Sequence, residues 1–265
     1  MLEKGGLGAR TAAIAAQFAE ATPFPHFVAD DVLPPEVLED VIAEFPAPEQ
    51  GEWESFDKPT ELKLALADPT QMGTATRNLL AELNSEPFIN WLEQVTGIDG
   101  LIPDPHYVGG GLHQIRPGGF LKVHADFNWH KRLRLDRRLN LLLYLNKGWE
   151  ESYGGHLELW DKSMTQCATK VLPVFNRMVV FATTDFSYHG HPEPLTCPPD
   201  RARRSLALYY YTNGRPAEEV SASHTTLFKA RPDEDLPTAP TMREKIERWV
   251  PPALADIARQ RTGKS

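Results

Sequence analysis

Two short runs in the chain carry side chains suited to holding a metal ion. The first, FLKVHADF, sets His124 and Asp126 two positions apart in a segment that alternates apolar and polar residues. In a strand, residues i and i+2 face the same side, so both side chains can reach one ion. The second, FSYHGHPEP, presents His189 after the β-rich run RMVVFATTDF, from which it can arrive on a neighbouring strand. Two imidazoles and one carboxylate on one face of an octahedron leave three positions open, a ligand set suited to a non-heme ferrous ion. His191 lies two residues further on the same strand face and is the alternative third ligand; His189 is preferred because it closes the strand before Pro192 and Pro194. His113, His130 and His156 can also line the cavity, but each is expected to be structural or exposed.

A second group of residues suits an anion. The run RRSLALYYY opens with Arg203 and Arg204, and a planar guanidinium grips a carboxylate through two parallel hydrogen bonds. Adjacent strand residues point oppositely, so one of the two faces solvent. With Arg203 inward, Ser205, Ala207 and Tyr209 share its face and leave room for a ligand; with Arg204 inward, Leu206 and Leu208 would fill that room. Arg203 is therefore expected inside. An arginine in a barrel interior needs an anionic partner to offset its desolvation, and a bound dicarboxylate supplies one. Beside a ferrous site, that points to 2-oxoglutarate. Tyr144, in LNLLLYLN, shares a face with Asn140 and Leu142 and can donate to the same carboxylate; a tyrosine buried in a central strand is the competing reading. Gln114 precedes the HxD strand at a position from which its amide can reach the cosubstrate. The basic run KRLRLDRR, 131–138, is expected as an exposed loop at the mouth of the site, able to contact an acidic substrate.

The elements that must position these groups follow from periodicity and breakers. Helices are predicted over 9–21, 34–45, 68–83 and 85–96, with prolines in first turns and Gly97 as a stop. Phe88, Trp91, Leu92 and Val95 fall at helical spacing and read as core. From His106 the pattern changes to short apolar or alternating runs broken by Gly, Pro and Asn. Strands are predicted near 106–115, 119–125, 138–146, 156–160, 169–175, 178–183, 187–192 and 203–212. Strands in this number without intervening helices indicate a jelly roll, and helices first with strands after give the α+β class. The expected organisation is a single structural domain: an N-terminal helical support, 1–105, packed on a jelly-roll core, 106–213, with a C-terminal extension, 214–265. A last helix is predicted at 241–250, resumed at 252–260, able to pack on the barrel or on a partner subunit of a homodimer.

Composition bounds the rest. Over 265 residues, 41% hydrophobic content supports a sizeable core. A net charge of −8 argues against general affinity for nucleic acid or an anionic membrane. Cys167 and Cys197 lack CxxC spacing and read as reduced structural thiols. No secretory signature opens the chain and no window approaches a membrane span, so cytoplasmic residence is expected.

Taken in order, HADF, LLLYLNKGWEESYGGHLELW, FNRMVVFATTDFSYHGH and RRSLALYYY resemble the prolyl 4-hydroxylase-like branch of the Fe(II)/2-oxoglutarate dioxygenases, over about 106–213. The lead-in PFPHFVADDVLPPEVLEDVI is also similar to that branch. The resemblance implies a double-stranded β-helix with His124, Asp126 and His189 as iron ligands, 2-oxoglutarate and O2 as cosubstrates, and ascorbate as a candidate auxiliary. The branch holds the distal carboxylate with a basic residue, a small or hydroxyl residue two places on and an aromatic six places on; Arg203, Ser205 and Tyr209 match, and Tyr144 matches a cosubstrate-binding tyrosine. The usual early-strand tyrosine is missing, with Gln114 or Arg116 near its place. The activity implied is hydroxylation of a C–H bond in a protein side chain or a small molecule, with 2-oxoglutarate converted to succinate and CO2. Two other classes compete: a catalytically silent jelly-roll scaffold, and a zinc hydrolase using the same His/Asp/His set, which leaves the arginine strand unexplained.

Overall fold

A computed structural model describes residues 6–236; the helix predicted at 241–250 and its continuation lie outside the described residues. Four helices, α1 (Thr11–Glu20), α2 (Pro35–Ala43), α3 (Thr74–Leu83) and α4 (Glu86–Thr96), precede most of the strands. In α4, Phe88, Ile89, Trp91, Leu92 and Val95 are buried, the apolar stripe that its spacing predicts. The helix stops at Gly97, whose left-handed conformation (φ 68°) lets its N–H donate to the Glu93 carbonyl.

The helix predicted over 68–83 is instead broken in two. Asp68 and Pro69 open only a short 3-10 turn, Pro69–Gln71, with the Asp68 carboxylate accepting from the Thr70 amide. α3 begins afresh at Thr74, and a side chain from another helix caps it: the Glu44 carboxylate, just past α2, accepts from the amides of Ala75 (3.2 Å) and Thr76 (2.6 Å). Gly73 makes this possible, since a Cβ there would lie 2.0 Å from the Glu44 carboxyl carbon.

The strands run β1 (His26–Ala29), β2 (Glu54–Lys58), β3 (Glu61–Leu66), β4 (Ile102–Pro103), β5 (Gly111–Ile115), β6 (Phe120–Ala125), β7 (Trp129–His130), β8 (Leu135–Tyr144), β9 (Leu157–Trp160), β10 (Cys167–Val171), β11 (Met178–Ala182), β12 (His189–His191), β13 (Arg203–Thr212) and β14 (Leu227–Phe228). They pair antiparallel in the order β1-β11-β8-β13-β5-β3-β6-β12-β9-β10, a nearly closed barrel of the double-stranded β-helix kind. β2 and β3 have no counterpart among the predicted strands. β3 bridges β5 and β6 and thereby joins the two halves of the barrel. β2, ESFDK, is almost wholly exposed, so it carries no alternation to read. The predicted strand at 106–115 starts only at Gly111, because 106–110 turn, with the Gly110 amide donating to the Tyr107 carbonyl.

β8, β11 and β13 divide their side chains between two environments. Leu139, Leu141, Leu143, Met178, Val180, Leu206, Leu208 and Tyr210 pack with Leu80, Leu83, Phe88, Trp91 and Leu92 of the helices. Asn140, Leu142, Phe181, Arg203 and Ser205 line the barrel interior instead. Cys167 and Cys197 are free thiols, and no helix of the described residues is long and apolar enough to cross a membrane.

A side chain at residue 73 would push the Glu44 carboxylate off the α3 amides. Gly73→Ala and Glu44→Ala should therefore each lower unfolding stability by about 1 kcal/mol, the usual worth of an N-cap, in urea titrations; a double variant no worse than either single would show that both act on this cap.

Candidate metal centre

The site begins with a strand pair. β6 and β12 are neighbours with His124 opposite His189, which brings the imidazole centroids to 4.4 Å. Asp126, just past β6, completes the group: His124 Nε2 lies 3.4 Å from its Oδ1 and His189 Nε2 3.4 Å from its Oδ2. The three candidate ligand atoms all lie within 4.8 Å of one another. His191, the alternative third ligand, is not part of this cluster.

Hydrogen bonds leave the correct atoms bare. His124 Nδ1 is 2.9 Å from the Lys122 carbonyl and His189 Nδ1 is 2.9 Å from the Ser187 carbonyl. A carbonyl only accepts, so each Nδ1 carries the proton and each Nε2 keeps its lone pair for a metal. Burial, and then the neighbouring His124, push the His189 imidazole down to about 4, so it is neutral near pH 7. Burial opposes the charge on Asp126, but Arg137 foremost, with the two imidazoles, holds its carboxyl well below the usual range. Asp126 Oδ2 accepts from Asn140 Nδ2 (2.6 Å) and Arg137 Nη2 (3.0 Å). A carboxylate and two imidazoles whose Nε2 atoms face it fit a divalent ion.

Arg137 corrects the expectation of an exposed basic loop over 131–138. β7 and β8 form a hairpin, with Trp129 opposite Asp136, so the strand begins before 138 and takes Arg137 and Arg138 into it. Arg137 is 1% exposed, its guanidinium carbon 3.4 Å from the Tyr209 ring centroid and 4.4 Å from that of Phe127. Its Nε donates to Asn140 Oδ1 at 2.8 Å. The register of β8 on β13 shifts between Tyr210 and Tyr211, and such a bulge re-aims a side chain that strict alternation would send outward.

The anion side follows the predicted parity. Arg203 is buried; its Nε donates to the Gly155 carbonyl (2.8 Å) and its Nη2 to the Tyr144 hydroxyl (3.2 Å). No ion pair joins it to an acid among the described residues. Ser205 lies opposite both Tyr144 and His113, and Tyr209 closes the same wall while its hydroxyl donates to the Gly109 carbonyl. Arg204 turns out, over the Phe45 ring at 4.8 Å. Gln114 turns out with it, its Oε1 accepting from Arg204 Nε at 3.2 Å. The expected reach of Gln114 to a cosubstrate does not fit this geometry: β5 directs His113 and Ile115, not Gln114, to the cavity. His156 hydrogen-bonds Glu151 (2.8 Å) and His130 lies against Asp104 (3.4 Å); neither lines the cavity.

A cavity of about 70 Å³ runs between the His/Asp/His group and Arg203. It shares Lys63, His113, Leu121, His124, Asp126 and Tyr209 with an outer cleft of about 530 Å³. That cleft is bordered by Glu54, Phe56 and Lys58 of β2 and by Thr225, Thr226 and Phe228. β14 holds Phe228 opposite His124, with the rings 5.6 Å apart. Lys63 and Phe228 carry no clear signal in the sequence, since β3 pairs with the exposed strand β2 and β14 is only two residues long.

Comparison with known proteins agrees with this architecture. The 2OG-Fe(II) oxygenase superfamily profile matches residues 110–211. The chain is 26% identical over 183 residues to prolyl 3-hydroxylase OGFOD1 of Mus musculus, covering 67% of this chain and 30% of that protein. A Pseudomonas putida prolyl-4-hydroxylase structure superposes with TM-score 0.55 at 21% identity, over 76% of this chain and 100% of that one. A Trichoplax adhaerens prolyl hydroxylase in complex with a hypoxia inducible factor oxygen degradation domain peptide fragment gives TM-score 0.56 at 16% identity, over 78% and 92%.

Asn140→Ala removes a hydrogen bond that aims Asp126 and should weaken Mn(II) binding about 10–100-fold, measured by calorimetry. In the metal-free protein, His189 and His191 are held below their unfolded value near 6.5 by burial, His191 well below. Unfolding therefore takes up protons between about pH 6.5 and pH 4, and stability should fall as pH drops through that window. Urea midpoints flat across it would contradict the burial of two neutral imidazoles.

Proposed function

We propose that the protein is an Fe(II)- and 2-oxoglutarate-dependent hydroxylase of the prolyl-hydroxylase-like kind, acting on a C–H bond of a peptide side chain, a reading supported by the match of residues 110–211 to the 2OG-Fe(II) oxygenase superfamily. The observation that carries this reading is the meeting, in one barrel, of a bare His/Asp/His set and a buried arginine that has no acidic partner among the described residues. His124, Asp126 and His189 are the metal ligands in this reading. Asn140 and Arg137 hold the Asp126 carboxylate in its orientation, and the Lys122 and Ser187 carbonyls hold the imidazoles in theirs. Arg203 and Tyr144, with Ser205 beside them, receive the distal carboxylate of 2-oxoglutarate. Leu142, Leu157 and Phe181 give the cavity an apolar wall that limits water near the reacting centre. When bound, iron and 2-oxoglutarate would supply the oxidation, in which 2-oxoglutarate, O2 and the C–H substrate give succinate, CO2 and the hydroxylated product, one oxygen atom going to succinate and one to the product.

The outer cleft over the ligand set, about 530 Å³, has room for a peptide segment. The naming of OGFOD1 as a prolyl 3-hydroxylase and the peptide bound in the Trichoplax structure support a prolyl side chain as substrate; a free small molecule is the alternative. A zinc hydrolase leaves the unpaired Arg203 without a role, and a silent scaffold leaves both groups without one. Cytoplasmic residence belongs to the same reading.

Supplied with Fe(II), 2-oxoglutarate and O2, the protein should form succinate. His124→Ala and Asp126→Ala should abolish it, whereas Arg203→Ala should raise the 2-oxoglutarate KM by roughly 10–100-fold, the loss of charge-assisted hydrogen bonds. Full turnover by His124→Ala would end the ligand assignment. Metal-dependent turnover without oxygen would favour the hydrolase.

A further inference from the structure

β12 carries a second histidine that none of these roles uses. His191 is 3% exposed, and neither Nδ1 nor Nε2 has a hydrogen-bond partner among the described residues. His124 and His189 each anchor one nitrogen on a carbonyl; His191 anchors none. Buried polar atoms left this way in a native fold mark a place where a ligand or water belongs.

The backbone explains where this ring lies. The pairing of β12 with β6 slips between His189, opposite His124, and His191, opposite Leu121. Gly190 sits at the slip with no room for a side chain, since a Cβ would lie 2.8 Å from the Leu121 carbonyl oxygen. The slip leaves His191 outside the His/Asp/His cluster but on the wall of the inner cavity, together with Lys63, His113, Arg203 and Ser205. Apart from Asp126, which is committed to Arg137 and Asn140, no acidic residue among the described residues lines that cavity. Its volume of about 70 Å³ exceeds the ~10–15 Å³ that one water needs. A small anion entering it meets the guanidinium of Arg203 and the unengaged ring of His191. An imidazole always offers at least one N–H, and a carboxylate has acceptor positions left after a guanidinium has taken two.

We propose that His191 is a cosubstrate-binding residue, donating a ring N–H to the distal carboxylate that Arg203 pairs with. The inference rests on the proposed 2-oxoglutarate dependence and deepens it. It makes the far end of the cavity a two-residue grip that selects 2-oxo acids bearing a second carboxylate.

The test is calorimetric titration of 2-oxoglutarate into the Mn(II)-loaded protein, as wild type, His191→Val, His191→Asn and Arg203→Ala, with Mn(II) affinity measured for each. His191→Val should weaken 2-oxoglutarate binding roughly tenfold or more, the scale of one hydrogen bond to a charged group. His191→Asn, which keeps an N–H donor, should recover most of that loss, and Mn(II) affinity should hold throughout. Binding of 2-oxobutyrate, which lacks the distal carboxylate, should not respond to His191→Val. Wild-type affinity in His191→Val alongside weakened binding in Arg203→Ala overturns the role of His191 and leaves the proposed function standing. An equal loss for 2-oxobutyrate also overturns it, since the contact would lie at the metal end. A wild-type protein that does not bind 2-oxoglutarate overturns both readings. Should the valine variant not fold, histidine-selective 15N NMR of the Zn(II)-loaded wild type decides: the His191 N–H should become slow to exchange and shift on adding 2-oxoglutarate, and an unmoved signal counts against the contact.

Discussion

Asp126 is a carboxylate largely withdrawn from water, and a charge so placed survives only where compensation is built around it. Here the compensation is Arg137, itself buried and packed against the rings of Tyr209 and Phe127, with Asn140 donating to the same oxygen. Asn140 also accepts from Arg137 and from the Thr183 hydroxyl, so its amide cannot turn over without breaking bonds on both sides. One carboxylate oxygen is thereby fixed, and with it the plane in which the two bare imidazole nitrogens meet the acid. Three candidate ligand atoms are thus held within 4.8 Å of one another, which is what preorganisation requires of a metal site.

That polar interior depends on the apolar exterior of the same strands. Leucines 139, 141 and 143 of β8 lie against the helices while residues 140, 142 and 144 face the opposite way. Stability is concentrated on the helix-facing side, where large side chains are almost wholly buried, and this leaves the inner face free to carry groups that do not pack for their own sake. β3 links the two halves and brings Lys63 to the junction of the cavity and the cleft. The inner space therefore has one end marked by the Asp126 carboxylate between two imidazoles and an opposite end marked by the Arg203 guanidinium, a polarity that a dicarboxylate can bridge.

Much of this was legible from residue order. His124 and Asp126 pair because residues i and i+2 of a strand share a face, His189 stands out because it closes its strand before Pro192 and Pro194, and the inward turn of Arg203 follows from the small residues that share its face. What escaped lies where regularity fails. A bulge in β8 turns Arg137 inward, although the run of charges over 131–138 has the composition of a solvent-facing loop. The exposed strand β2 had no buried face to reveal it, so Lys63 went unnoticed beside it. Gln114 was read inward when its neighbour His113 holds that place, because the start of β5 is set by the turn at 106–110 and not by an apolar pattern. The capping of α3 by Glu44 is a tertiary contact between distant residues, invisible to local helix signals.

The most direct test of the central claim, that one cavity assembles a ferrous ion and a diacid, is anaerobic visible absorption of the protein with Fe(II) and 2-oxoglutarate. A charge-transfer band that requires both components and disappears in Asp126→Ala is the expected result. A spectrum that 2-oxoglutarate leaves unchanged in the Fe(II)-loaded protein would contradict it.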